Sequence, residues 1–231
     1  MNILITGSNR GLGLSLVKSG LEKGHIIYAG VRDKNEQKIA QLTELKNKYR
    51  DQLQIIDLDV TDEESVRTAV DEVCDHLDVI INNAAILNER EKSIEDLDLK
   101  ACKLALDINT LGPVRVIKHF LPLLKNGENQ SIINISSDAG SLTNAYSGDY
   151  PYGLSKAALN MLSEKLHVTL KDDDIQVLSV HPGWMRTDMG GDQAPTNPLD
   201  TAKSIYNLID RKVHIDSEFV YIDYQGNPMS I

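Results

Sequence analysis

Seven short runs rich in β-branched and apolar residues punctuate this 231-residue chain, and longer helical patterns separate them. The runs are Ile3–Thr6, His25–Val31, Gln54–Leu58, Leu77–Asn82, Ser131–Ile135, Gln176–Val180 and Phe219–Ile222. Several are apolar at consecutive positions rather than at alternate ones. A strand of that kind must be covered on both faces, which is the condition of a parallel sheet flanked by helices. Helical patterns fall at about Leu12–Lys23, Lys34–Tyr49, Ile94–Leu124, Tyr152–Leu170 and Leu199–Ile209, with Thr61-Asp62-Glu63-Glu64 opening another.

Right-handed crossovers between parallel strands then predict an α/β fold: a single-domain, Rossmann-type, doubly wound parallel sheet of about seven strands with helices on both faces. No internal repeat or linker divides the chain, so residues 1–231 are expected to form one domain. In such folds ligands bind beyond the carboxyl ends of the strands, which makes the Pro/Gly-containing stretch Pro182–Pro198 a candidate substrate loop.

Charge narrows the partners. Twenty-four basic against 34 acidic residues give a formal charge of −10, which argues against nucleic acid and against an anionic membrane surface. No run approaches the ~20 apolar residues of a membrane-spanning helix, and the N-terminal residues lack the basic n-region of a signal peptide. A cytoplasmic location is the expectation. Cys74 and Cys102 form no metal-ligand or redox spacing and read as unremarkable thiols.

The first strand runs into Thr6-Gly7-Ser8-Asn9-Arg10-Gly11-Leu12-Gly13, which opens the first helix. Gly7 permits a tight turn, Gly11 a close approach of backbone to a pyrophosphate, and Gly13 close packing of helix on strand. The helix N-terminus adds unpaired N–H groups and a partial positive charge. The second strand ends on Val31-Arg32 instead of on the acidic residue typical of NAD binders. Arg32 and Arg10 suit a 2′-phosphate, because a guanidinium pairs with phosphate oxygens in bidentate fashion. NADP(H) is therefore the expected cofactor, with Asp33 keeping NAD(H) open.

Tyr152 and Lys156 stand four residues apart, on one face of a predicted helix. An ordinary phenol titrates near pH 10, and a cation beside it favours the phenolate, so the pair can serve as an acid–base centre.

In order along the chain these motifs are Thr6-Gly-x-x-x-Gly-x-Gly13, Asp59-Val60, Asn82-Asn83-Ala84, Asn109, Ser136-Ser137, Tyr152-x-x-x-Lys156 and Pro182-Gly183-x-x-x-Thr187. Carrying all seven, the chain resembles the short-chain dehydrogenase/reductase family over essentially its whole length. The stretch His181–Gly191, Ala194-Pro195 and Tyr224-Gln-Gly226 is similar to the C-factor and sniffer-type carbonyl reductase branch.

The resemblance implies a hydride transfer between nicotinamide and a carbonyl or alcohol substrate. Tyr152 would be the general acid/base, Lys156 would hold the ribose and tune the phenol, and Ser137 would bind the substrate oxygen. Asn109 would hold a water in a proton relay. It further implies cofactor contacts from Gly7, Ser8, Asn9, Arg10, Gly11, Leu12 and Gly13, from Arg32, and from Asp59 at the adenine amino group beside the Val60 amide. Asn83 and Ala84 would lie near the ribose, and Pro182, Gly183 and Thr187 near the nicotinamide carboxamide or a phosphate. Trp184, Met185 and Met189 either line an apolar substrate pocket or pack the loop. A homodimer or homotetramer is the implied assembly. The alternative is a dinucleotide-binding signalling or regulatory protein of the C-factor kind, with little turnover.

Overall fold

The computed structural model describes residues 1–73 and 75–231; the reading of Cys74 lies outside them. The seven predicted strands appear as β1 (Asn2–Thr6), β2 (Ile26–Val31), β3 (Leu53–Asp57), β4 (Val79–Asn82), β5 (Ser131–Ile135), β6 (Gln176–His181) and β7 (Tyr221–Asp223). They form one sheet in the order β3-β2-β1-β4-β5-β6-β7, and every neighbouring pair is parallel.

Alternate side chains along each strand enter separate cores. Ile3, Ile5, Ile27, Ala29, Val79, Ile81 and Ile133 pack under α1 (Gly11–Glu22), α2 (Glu36–Tyr49) and α7 (Pro198–Ile209). Leu4, Tyr28, Ile80 and Ile132 face the other way, under α3 (Glu63–Val70), α5 (Gly112–Lys125) and α6 (Tyr150–Leu170). This arrangement explains why the runs are apolar without alternation: each neighbouring pair of positions serves both cores. Each fully buried aliphatic side chain contributes roughly 1.5–3 kcal/mol, so the double layer carries most of the stabilisation.

The expected helix over 94–124 is divided. Residues 94–98 precede α4 (Leu99–Leu106), and Asp107–Leu111 form a π-helical segment before α5. There the Gly112 amide donates to the Asp107 carbonyl, five residues back. The widened turn points Asn109, a polar residue with no exposed surface, into the protein. Helix α3 takes Asp62 as its N-cap. Its carboxylate accepts from the Glu64 amide at 3.0 Å.

Sheet order reverses between β1 and β4. Their carboxyl ends, Thr6 and Asn82, therefore flank the crevice in which a doubly wound fold binds ligands. No helix among the described residues is long and apolar enough to cross a membrane.

Candidate active site

Four helices, α2, α3, α4 and α7, begin with a side chain that accepts from their first turn: Asn35, Asp62, Asp98 and Asn197. At α1 the N-cap position is Arg10, which makes no such bond, and the first turn holds no acidic residue. Its orphan amides and positive end are left for an anion. The turn before it has no room for side chains. A Cβ on Gly13 would stand 2.2 Å from the Gly7 carbonyl oxygen and 2.6 Å from Asn83 Nδ2. Gly7 takes φ +66°, and a Cβ there would stand 2.8 Å from Ala84 Cα.

Asn83 and Thr6 hold that turn. Asn83 Nδ2 donates to the carbonyls of Thr6 (2.9 Å) and Gly7 (3.1 Å), while Thr6 Oγ1 accepts from the amides of Asn83 and Ala84, both at 3.0 Å. The Asn83 amide group thus spends its donors on the glycine turn and shapes the pocket through the backbone. Ser8 belongs to the same fastening, donating from Oγ to the Ile5 carbonyl (2.7 Å) and from its amide to Gly30.

Around the rim, Arg32 is exposed and has no hydrogen bond or ion pair among the described residues. Asp33 is engaged: it accepts from Lys38 Nζ at 2.6 Å and from the Asn35 amide at 2.8 Å. The Lys38 hydrogen bond holds its carboxyl below the usual range. Arg10 reaches the other way, to Asp188 of the 182–197 loop at 3.2 Å. That loop covers the turn, since the Thr187 methyl lies 3.5 Å from where a Gly11 Cβ would be. Asp59 Oδ1 accepts from the Thr61 amide and hydroxyl, and the Val60 carbonyl accepts from Arg115. The Pro182 carbonyl accepts from Thr201, and Gly183 (φ +78°) leaves space for the Tyr224 ring. Met185 packs against the core, whereas Trp184 and Met189 remain exposed.

The reactive side chains meet at the carboxyl ends of β5 and β6. Lys156, 1% exposed, donates to the Ile135 carbonyl at 2.7 Å and stands 5.4 Å from the centroid of the Tyr152 ring. The Ser137 hydroxyl faces the Tyr152 phenol. Ser136 is turned away, donating to Asn160 Oδ1 at 2.6 Å, so of the two serines only Ser137 looks onto the phenol.

Burial raises the Tyr152 phenol to about 12 and lowers the Lys156 ammonium to about 7. This differs from the expected cation-stabilised phenolate, because desolvation of both groups dominates in the protein by itself. The pair rests with a neutral phenol and a readily deprotonated amine.

Asn109 stands behind them. It accepts from the Ile86 amide (2.8 Å) and donates to the Ile86 carbonyl and to Ser155 Oγ (both 2.9 Å). Ser155 Oγ in turn donates to the Tyr152 carbonyl (2.7 Å), which ties Asn109 to the first turn of α6. Three residues to which the sequence reading gave no site role fix the Ser137 turn. Tyr221 donates from its hydroxyl to the Ser137 carbonyl (2.7 Å), Asn160 accepts from Ser136 and Ser179, and His181 Nδ1 accepts from the Asp138 amide (3.1 Å). No sequence spacing connects these positions, since they meet only across the sheet. A separate depression of about 630 Å³, lined by His167, Arg211 and Phe219, opens at the amino end of β6 and contains none of these groups.

Comparison with known proteins agrees with this geometry. The family model for short chain dehydrogenase matches residues 1–198. The NADPH-bound carbonyl reductase from chicken fatty liver superposes with a TM-score of 0.89 at 30% identity, covering 100% of this chain and 98% of that one. Carbonyl reductase Sniffer of D. melanogaster gives 0.91 at 31% identity, covering 100% and 99%. The C-signal protein of Myxococcus xanthus is 34% identical over 151 residues, 65% of this chain and 90% of that protein. With the family model spanning most of its length, the chain belongs to the short chain dehydrogenase family.

Proposed function

We propose that this protein is an NADP(H)-dependent carbonyl reductase. One observation carries the reading: Ser137, Tyr152 and Lys156 come together in buried surroundings at the carboxyl end of β5, on the sheet edge where the uncapped α1 terminus also opens. A purely dinucleotide-binding protein has no use for a desolvated lysine set against a phenol.

The glycine turn, Gly7 to Gly13, and the α1 amides would hold the pyrophosphate, and the tight packing at Gly7 and Gly13 fits that use. Arg32, with no hydrogen bond or ion pair among the described residues, and Arg10, paired with the exposed Asp188 carboxylate, would bind the 2′-phosphate. The capture of Asp33 by Lys38 supports NADP(H) over NAD(H), as does the NADPH in the chicken carbonyl reductase structure. Asp59 and Val60 would meet the adenine, Asn83 and Ala84 the ribose pocket, and Pro182, Gly183 and Thr187 the carboxamide side.

A nicotinamide bound there supplies a hydride to the carbonyl carbon. Ser137 donates to the carbonyl oxygen and stabilises the charge it gains. Tyr152 passes its phenolic proton to that oxygen. Its neutral resting state is the one that reduction requires. Lys156 would hold the ribose hydroxyls, and the proton would return to Tyr152 through Lys156, with Asn109 as the expected holder of a relay water. The expected homodimer or homotetramer finds support in exposed Leu154, Met161 and Val168, seven residues apart along α6, beside Leu104 and Leu111.

Calorimetric titration with NADPH and NADH, on the wild type and on Arg10→Ala/Arg32→Ala, tests the cofactor assignment. NADPH preference that collapses in the double variant is expected. Binding of neither dinucleotide overturns the reading and turns the search to the signalling alternative and its protein partners. Tyr152→Phe should retain NADPH and lose carbonyl reduction by two orders of magnitude or more.

A further inference from the structure

We propose that Asp138 sets the substrate class: carbonyl compounds bearing a cation or a hydrogen-bond donor next to the reacting group, with α-keto acids excluded. The inference rests on the carbonyl reductase reading above. It starts from one contact. Ser137 Oγ donates to Asp138 Oδ1 at 2.9 Å, the same oxygen that accepts from the Ala139 amide. The amide of Asp138 is in turn held by His181 Nδ1, so the carboxylate stands on a fixed turn.

That geometry limits where substrate can lie. A carbonyl oxygen that accepts from Ser137 Oγ at the usual ~2.8 Å lies no more than about 6 Å from Asp138 Oδ1. The Asp138 carboxylate, 62% exposed and so partly screened by solvent, therefore stands within that distance of the oxygen on which negative charge develops. To donate to substrate, the Ser137 hydroxyl must leave Asp138, which vacates an acceptor site on that carboxylate. A hydroxyl or a cation on the carbon next to the carbonyl fills the vacated site and offsets the repulsion. A carboxylate at the same position doubles the repulsion instead.

The neighbouring charges lean the same way. Asp149, three residues before Tyr152, accepts from Tyr146 with Oδ2 at 3.1 Å, while its Oδ1 is buried with no partner among the described residues. Both Asp138 and Asp149 act on the Tyr152 phenol, against one cation, Arg90. His181 is held towards its neutral form by burial, and Lys156 is drawn down to about 7. Two carboxylates, Asp138 and Asp149, and one guanidinium, Arg90, thus stand around the Tyr152 phenol.

The test is steady-state NADPH oxidation with four matched ketones: phenacyltrimethylammonium, α-hydroxyacetophenone, acetophenone and phenylglyoxylate. 4-Nitrobenzaldehyde serves as the neutral reference. Wild type and Asp138→Asn are compared through ratios of kcat/KM, which cancel the intrinsic reactivity of each ketone. The ratio of phenacyltrimethylammonium to phenylglyoxylate is expected to fall at least tenfold in Asp138→Asn. The ratio of α-hydroxyacetophenone to acetophenone should change less than threefold, since the asparagine oxygen still accepts. A cation-to-anion ratio that stays the same in the variant, or no turnover of the cationic ketone while 4-nitrobenzaldehyde is reduced, overturns the assignment of Asp138 and leaves the reductase reading standing. Failure to oxidise NADPH with any of the five compounds overturns both.

Discussion

Replacing Asn109 with alanine removes three hydrogen bonds at a fully buried position. The Ile86 amide and carbonyl have no other partner among the described residues, so both are left unpaired. With a net ~1 kcal/mol for each neutral bond and an added penalty for orphaned groups, the variant should lose about 2–4 kcal/mol. In a domain of this size that corresponds to a fall of about 5–15 °C in Tm. Calorimetry gives the global effect. Hydrogen exchange at the Ile86 amide gives the local one, and protection there should drop before that of the β4 and β5 amides. Asn109→Asp is the useful companion, because it keeps the acceptor for the Ile86 amide but loses both donors; it should restore that protection only. A Tm within 2 °C of wild type, together with unchanged Ile86 protection, would refute the view that the π-helical turn exists to place this side chain.

Four other outcomes follow from the same geometry. Lys156 titrates near 7 when folded against about 10.5 when unfolded. Between those values the unfolded chain binds the extra proton, so this group makes stability rise with pH by up to ~1.4 kcal/mol per unit. Lys156→Met should therefore be more stable than wild type at pH 7, and the gap should close towards pH 10 in denaturant titrations; a gap independent of pH contradicts the desolvation account. Gly13→Ala puts a methyl group into the Gly7 carbonyl and should weaken NADPH binding at least 100-fold by calorimetry, or prevent folding. Tyr221→Phe removes the donor to the Ser137 carbonyl and should cost about 1 kcal/mol in denaturant melts while lowering kcat more than it raises KM. Asp188→Asn releases Arg10 from an exposed pair worth at most ~1 kcal/mol, so NADPH affinity should rise by no more than about fivefold.

The seven strands and their parallel order were legible because burial on both faces leaves an unbroken apolar run, which few other architectures tolerate. The glycine turn was legible for a related reason: its tight packing bars side chains at Gly7 and Gly13. Tyr152 and Lys156 stood out as a pair because four residues of helix bring them to one face, whereas Ser137 was singled out from its neighbour Ser136 by the family resemblance alone. What depends on distant partners was hidden. Nothing in residues 94–124 marks the widened turn at Asp107–Leu111, since an extra residue in a helix leaves the apolar pattern nearly intact. Asn83 reads as a pocket residue, yet its donors serve the Thr6 and Gly7 carbonyls, 77 and 76 positions away. The protonation of the Tyr152–Lys156 pair in the protein by itself was also hidden. Spacing conveys proximity, whereas desolvation depends on everything that packs around the pair.

The uncapped end of α1 has a consequence for the life of the protein as well as for its chemistry. Helix α1 lies in the middle of one core and is tied to α7 through the Tyr206 hydroxyl, which donates to the Leu16 carbonyl. A dinucleotide seated on that end completes the helix, and ligand at a hundred times its Kd adds about 2.7 kcal/mol to folding stability by mass action. Chains without ligand open more often and are more exposed to proteolysis. Abundance would then track the supply of dinucleotide, with the fold itself acting as the gauge.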